Sequence, residues 1–205
     1  MLDLVKAQTE RIDATFLEPA CGSGNFLAEI LRRKLAVVEK QSFIGKTKKR
    51  NQYKYEFDAI LAISSLYGIE LLQDNVEQCH QRLLSIFNAQ YQSYFPNTFQ
   101  PKCLKTAEHI LKKNILCGNA LTMKSETIDP ITKQLLPNDP LVFTEWKGIG
   151  SNIHRRDFIY QQTVETEKSG KAEINEQGQT EFFSIPIKTY PPIPFLCFLE
   201  ELGND

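Results

Sequence analysis

Between Glu18 and Phe26 the chain reads Glu-Pro-Ala-Cys-Gly-Ser-Gly-Asn-Phe, a carboxylate followed by two glycines, Gly22 and Gly24. Glycines at these places let a ligand approach the backbone with no Cβ in the way. A helix opening at Asn25 would present free N–H groups to a carboxylate, while Glu18 would face an ammonium. One turn therefore offers partners to both ends of a zwitterionic amino acid. A second acid, Glu70, closes a short apolar run, where it can accept hydrogen bonds from the two hydroxyls of a ribose.

The elements that must hold these residues follow from hydrophobic period and from Gly/Pro punctuation. A strand ends on Glu18, Pro19 and the two glycines turn the chain, and Phe26, Leu27, Ile30, Leu31, Leu35 and Val38 predict a helix over 25–40. Further helices are expected over 56–64, from Asp74 or Asn75 to a break at Phe95-Pro96-Asn97, and over 102–113. Strands are expected over 66–70, 114–117, 141–144 and 182–187, with turns at 129–130 and 137–140. The polar segment 166–179 predicts an exposed loop. Helices alternating with strands predict an α/β fold around a mainly parallel sheet. The division expected is a ligand-binding domain over 1–150 and an extension over 151–205 packed on it.

The ten residues from Glu18 to Leu27 resemble the first motif of adenine-specific DNA methyltransferases of restriction-modification systems, Asp-Pro-Ala-Cys-Gly-Ser-Gly-x-Phe-Leu. Tyr67-Gly68-Ile69-Glu70-Leu71 resembles the second motif of that family, and Gly118-Asn119-Ala120-Leu121 a third segment in the same order. The resemblance implies a class I, Rossmann-like three-layer sandwich that binds S-adenosylmethionine and acts on DNA. It implies cofactor contacts from Glu18, Pro19, Ala20, Cys21, Gly22, Gly24, Asn25 and Phe26 in the first motif. Glu70 would take the ribose and Leu71 the adenine. Asn119 would meet the exocyclic amine through its carbonyl oxygen, with Ala120 and Leu121 against the base.

Two departures bear on turnover. The family's catalytic Asp/Asn/Ser-Pro-Pro-aromatic motif should end the strand after Asn119, yet the 141–144 run continues as Glu145-Trp146-Lys147-Gly148. The only Pro-Pro of the chain, in Tyr190-Pro191-Pro192-Ile193, lacks both the polar acceptor and the aromatic ring and reads as a stiff linker. The Phe/Tyr-Thr-Pro segment often found ahead of the first motif is also missing from 1–17. The catalytic residues are therefore unassigned, with Glu145, Trp146 and Asn152 as the candidates to mutate first. Three readings stay open: a methyltransferase core, a non-catalytic cofactor- or DNA-binding subunit that works with a partner chain, and a methyltransferase of proteins or small molecules.

Composition narrows the rest. A formal net charge of −1 gives no overall bias toward nucleic acid, so a DNA partner must be sought in local patches. The basic loop Lys46, Lys48, Lys49, Arg50 and Lys54 beside Tyr53 and Tyr55 is one such patch. Trp146 with Arg155 and Arg156 is another, though it reads better as a structural Trp and a solvated charge run. Five dispersed cysteines without C-x-x-C pairs fit reduced thiols, and the three histidines lack metal-ligand spacing. No window approaches the ~18 apolar residues of a membrane span. The expectation is a cytoplasmic protein with no metal and no membrane, and with a restriction-modification subunit as a candidate partner.

Overall fold

The computed structural model describes residues 6–45, 49–128, 135–168, 172–174, 180–182 and 185–197. In chain order the elements are α1 (Lys6–Thr9), β1 (Phe16–Glu18), α2 (Asn25–Gln41), α3 (Gln52–Ser64), β2 (Leu66–Glu70), α4 (Gln73–Tyr94), α5 (Pro101–Asn114) and β3 (Ile115–Cys117). There follow β4 (Lys124–Ile128), β5 (Leu135–Pro140), β6 (Val142–Ile149), β7 (Asn152–Ile159), α6 (Tyr160–Lys168), β8 (Ala172–Ile174), β9 (Thr180–Phe182), β10 (Lys188–Thr189) and β11 (Ile193–Pro194).

The site-bearing part is a three-stranded parallel sheet in the order β1-β2-β3. Phe16 faces Leu66, Glu18 faces Gly68, and Glu70 faces Cys117. Both crossovers step the same way along the sheet, so right-handed connections put their helices on one face. Accordingly α2 packs on α3 and α4, and α5 on α3 and α4. The apolar stripe expected for α2 supplies the buried Leu27, Ile30, Leu31, Leu35 and Val38. Lys34, on the same face and fully buried, donates to the carbonyls of Arg11, Ile12 and Ala14 and to Ser65 Oγ. It thereby ties the segment leading into β1 to α2.

The α3 helix begins a turn earlier than its apolar period indicated, because Asn51 Oδ1 caps the Lys54 N–H at 3.0 Å. That extra turn draws Tyr55 out of the basic loop and into the core. It is fully buried against Tyr91, Tyr94 and Phe95.

The greatest departure from expectation follows β3. The 141–144 run is not the next parallel strand. It belongs to β6, which pairs antiparallel with β7 from Val142–Ile159 to Ile149–Asn152 around a turn with Gly150 at φ 60°. The hairpin leans on the sheet through Tyr67, whose hydroxyl donates to Thr144 O at 2.8 Å and whose ring meets Phe143 edge-on. Trp146 Nε1 donates to Asn114 Oδ1 at 2.9 Å, and Asn114 Nδ2 donates to Ser64 O at 2.9 Å. Among the described residues no strand pairs with the outer edge of β1. The 150/151 division falls on the hairpin turn.

Other expectations also change. Residues 137–140 lie in β5, paired with β4, while 129–130 fall outside the described residues. Within 166–179, α6 extends to Lys168 and Ala172–Ile174 pairs with β9. Of the strand expected over 182–187, only Phe182 lies in one, residues 185–187 do not, and 183–184 are outside the described residues. The Tyr190–Pro194 stretch is no linker: β10 and β11 on either side of it pair with β7. A proline costs no ladder bond at such a place. Phe195 then buries its ring against Tyr53 and Phe57, and its carbonyl accepts from Thr106 Oγ1 at 2.9 Å.

Asn114 is the polar pin between helices, sheet and hairpin. Its replacement in Asn114→Ala leaves the Trp146 N–H and the Ser64 carbonyl without this partner, at about 1–3 kcal/mol for each buried group. A loss of about 3 kcal/mol is expected in urea unfolding; a loss under about 0.5 kcal/mol would show that the hairpin does not depend on this contact.

Candidate functional site

Parallel strands in sequential order bring their carboxyl ends to one rim, the place where α/β sheets bind ligands. Glu18, Glu70 and the Gly118-Asn119 turn stand there side by side, because Glu70 is opposite Cys117 and its carbonyl accepts the Gly118 N–H at 2.9 Å. The turn after β1 folds back onto β2, with Cys21 N–H donating to Ile69 O at 3.0 Å.

Glycine is required at Gly24 for two reasons. Its φ is +78°, and an added Cβ would lie 2.4 Å from Cys79 Sγ. Gly22, at φ +51°, has no neighbour within 4 Å of such a Cβ, so its demand is conformational only. Gly24 carries no capping side chain and α2 has no acid in its first turn. The positive end of this 17-residue helix thus faces the rim uncapped.

The two carboxylates have opposite surroundings. Glu70 Oε2 accepts the Gly22 N–H at 2.9 Å, while Oε1 accepts the Leu72 N–H at 3.1 Å and Asn75 Nδ2 at 3.2 Å. Burial pushes its pKa up, but these donors outweigh it and hold the carboxyl below its ordinary value. The Leu71 N–H adds to the same effect. Glu18 has no such help. Its Oε2 is buried without a partner, and burial pushes its pKa above the ordinary range.

The remaining expected residues are placed as follows. Pro19 and Ala20 are exposed on the turn, Cys21 is buried and Phe26 is half-buried. Contact with the Cys79 sulfur, and then burial, push the Cys21 thiol up. Leu71 is exposed and Leu121 is 92% exposed, both available as apolar surface. Ala120 is half-buried. Asn119 Oδ1 accepts the Leu121 N–H at 2.9 Å and its Nδ2 donates to Glu126 at 2.9 Å. The carbonyl oxygen expected to meet a base amine is already shaping its own turn.

Three residues of α4 escaped the sequence reading. Asn75 binds Glu70, Cys79 packs under Gly24, and the Arg82 guanidinium donates to Asn25 Oδ1 and, at 3.4 Å, to Ser23 Oγ. Their spacing of four and three places them on one helical face, a signal that the sequence contained.

Several cations of the candidate DNA patches are paired within the chain. Arg50 pairs with Glu39 at 2.8 Å and stacks 3.9 Å from the Tyr94 ring centre, and Lys54 pairs with Asp58; residues 46–48 are outside the described residues. Arg156 pairs with Glu145, Arg155 lies 3.5 Å over the Tyr190 ring, and Trp146 is buried. Glu145, Trp146 and Asn152 are thus members of the hairpin; Asn152 is paired with Pro194. Among the described residues no three His, Cys, Asp or Glu side chains gather as a metal ion would need, and no helix is long and apolar enough to cross a membrane. The five cysteines are free thiols.

A parallel sheet with a glycine turn and two rim carboxylates, covered by helices, is the frame of a methyltransferase-like α/β domain. The chain belongs to the MmeI DNA-methyltransferase domain family, whose model matches residues 2–160. This makes it a restriction-modification type, DNA-methyltransferase-like protein. No curated protein and no solved structure matches it.

An unpaired buried carboxylate oxygen is unfavourable until something neutralises it. Because the folded-state pKa of Glu18 lies above the unfolded one, the stability linked to this group is full at low pH and is lost as pH rises through the raised value. Glu18→Gln should therefore raise Tm by a few degrees at pH 7, with the difference vanishing near pH 4. A lower Tm for the variant at pH 7 would mean that the carboxylate is stabilised by its surroundings.

Proposed function

We propose that the chain is the S-adenosylmethionine-binding core of a DNA adenine amino-methyltransferase. The observation that carries this reading is the Glu70 carboxylate, which ends the second strand and is hydrogen-bonded back to the Gly22 N–H of the first turn. The residues fit such a cofactor. The unpartnered Glu18 Oε2 suits an ammonium, the uncapped start of α2 suits a carboxylate, and the Glu70 carboxylate at the end of its strand suits ribose hydroxyls. Leu71, Ala120 and Leu121 offer apolar surface to the adenine. The cofactor supplies an electrophilic methyl group on a sulfonium centre. The chain's own residues bind and orient, which is most of what direct transfer to an amine requires. Family membership favours DNA over protein or a small molecule as the acceptor.

The expected polar acceptor for the target amine is what the described residues lack. Since β6 turns back on β7 and, among the described residues, no strand pairs with the outer edge of β1, a strand that ends in such an acceptor would add there. Our reading is that such a strand, for which a partner subunit of a restriction-modification system is one source, would complete a Rossmann-like three-layer sandwich around the 1–150 domain, with 151–205 as an extension, in the cytoplasm.

Calorimetry should detect S-adenosylmethionine or S-adenosylhomocysteine binding, weakened about tenfold or more in Glu70→Ala. No heat at millimolar ligand would remove the reading. With tritiated cofactor and unmethylated DNA, the isolated chain should transfer little or no label, since loss of one preorganised contact costs about a hundredfold or more in rate. Robust labelling of adenine by the chain alone would overturn the need for a partner.

A further inference from the structure

We infer that Arg82 is a positioning residue for the amino-acid end of the bound cofactor. The inference rests on the cofactor-binding reading above and adds to it a residue outside every motif. Arg82 sits on α4, one helical step beyond Cys79, and its guanidinium donates to the side chains of Asn25 and Ser23. Those two side chains flank Gly24 at the start of α2.

The contact matters because of where it holds the guanidinium. The N-cap of α2 is Gly24, which has no side chain to accept the first free N–H groups. Ser23 and Asn25, on either side of it, anchor Arg82 through a hydroxyl and an amide carbonyl oxygen. The guanidinium is thereby fixed beside N–H groups that stay open to an anion.

Electrostatics point the same way. A guanidinium set against the positive end of a helix is adverse unless an anion joins them. The first turn of α2 holds no acid, and among the described residues no carboxylate lies within ion-pair distance of Arg82. The carboxylate of an amino acid completes this arrangement, and its ammonium would then lie toward Glu18.

The fork of the guanidinium is essential to the role. It reaches Ser23 and Asn25 together, which a lysine ammonium on a flexible stem does not reproduce. Arg82 acts through these side chains and is not assigned a place at the reacting atoms.

The test compares S-adenosylhomocysteine with 5′-methylthioadenosine, which keeps the nucleoside and lacks the amino acid. By calorimetry on the full chain, Arg82→Ala should weaken S-adenosylhomocysteine about tenfold or more and leave 5′-methylthioadenosine unchanged. Arg82→Lys should recover only part of the loss. Asn25→Ala should weaken the same ligand, and the double variant should lose less than the sum of the two single losses. Equal weakening of both ligands, full recovery by lysine, or additive losses would each overturn the positioning role; the lysine and Asn25 variants serve if Arg82→Ala does not fold. Absence of binding by the unsubstituted protein would instead overturn the underlying cofactor reading, and the inference with it.

Discussion

The rim of this domain hangs on one carboxylate. Glu70 joins the turn after β1 through Gly22, the start of α4 through Leu72 and Asn75, and, through its own carbonyl, the turn after β3. Each donor offsets part of the cost of taking the charge out of water. Strand pairing alone would align the three ends, yet it would leave the loops beyond them free. The carboxylate and the backbone carbonyl of this one residue together join three neighbouring loops into a single surface.

Against that fixed group, Glu18 stands as its opposite. Both acids end parallel strands of the same sheet, yet one is saturated with donors and the other has a buried oxygen with none. Their environments drive two similar groups apart: Glu70 holds the protein's own backbone, and Glu18 keeps an oxygen that the protein leaves unpaired. The same economy of space governs Gly24, where the Cys79 sulfur leaves no room for a Cβ. The turn is thus moulded by α4 as much as by its own glycines.

Much of this was legible in the sequence, for identifiable reasons. The strand ends at Glu18 and Glu70 and the helix from Asn25 announce themselves through short-range signals: apolar period, glycines and a proline. The first turn of α3 did not, because Asn51 starts it by a cap and not by a hydrophobic stripe. The β6–β7 hairpin and the strands flanking the two prolines depend on partners distant along the chain, so their local patterns were ambiguous. The site followed the same rule. Its contiguous motifs were readable, whereas Asn75, Cys79 and Arg82 acquire meaning only once α4 is laid beside the glycine turn. Asn119 likewise gains a local partner that its motif did not announce, the Leu121 N–H of its own loop.

The sequential order of the sheet bears on how the domain comes into being. During synthesis the amino-terminal part emerges first, and here β1, β2 and β3 are neighbours in the order in which they are made. Each arriving strand meets an edge that already exists and need not be threaded between two others. A nascent chain that has emerged through Gly118 holds all three strands, the glycine turn and every partner of Glu70. The hairpin and the Phe195 turn arrive later, and with them Trp146, Ile153 and Phe195 complete the core.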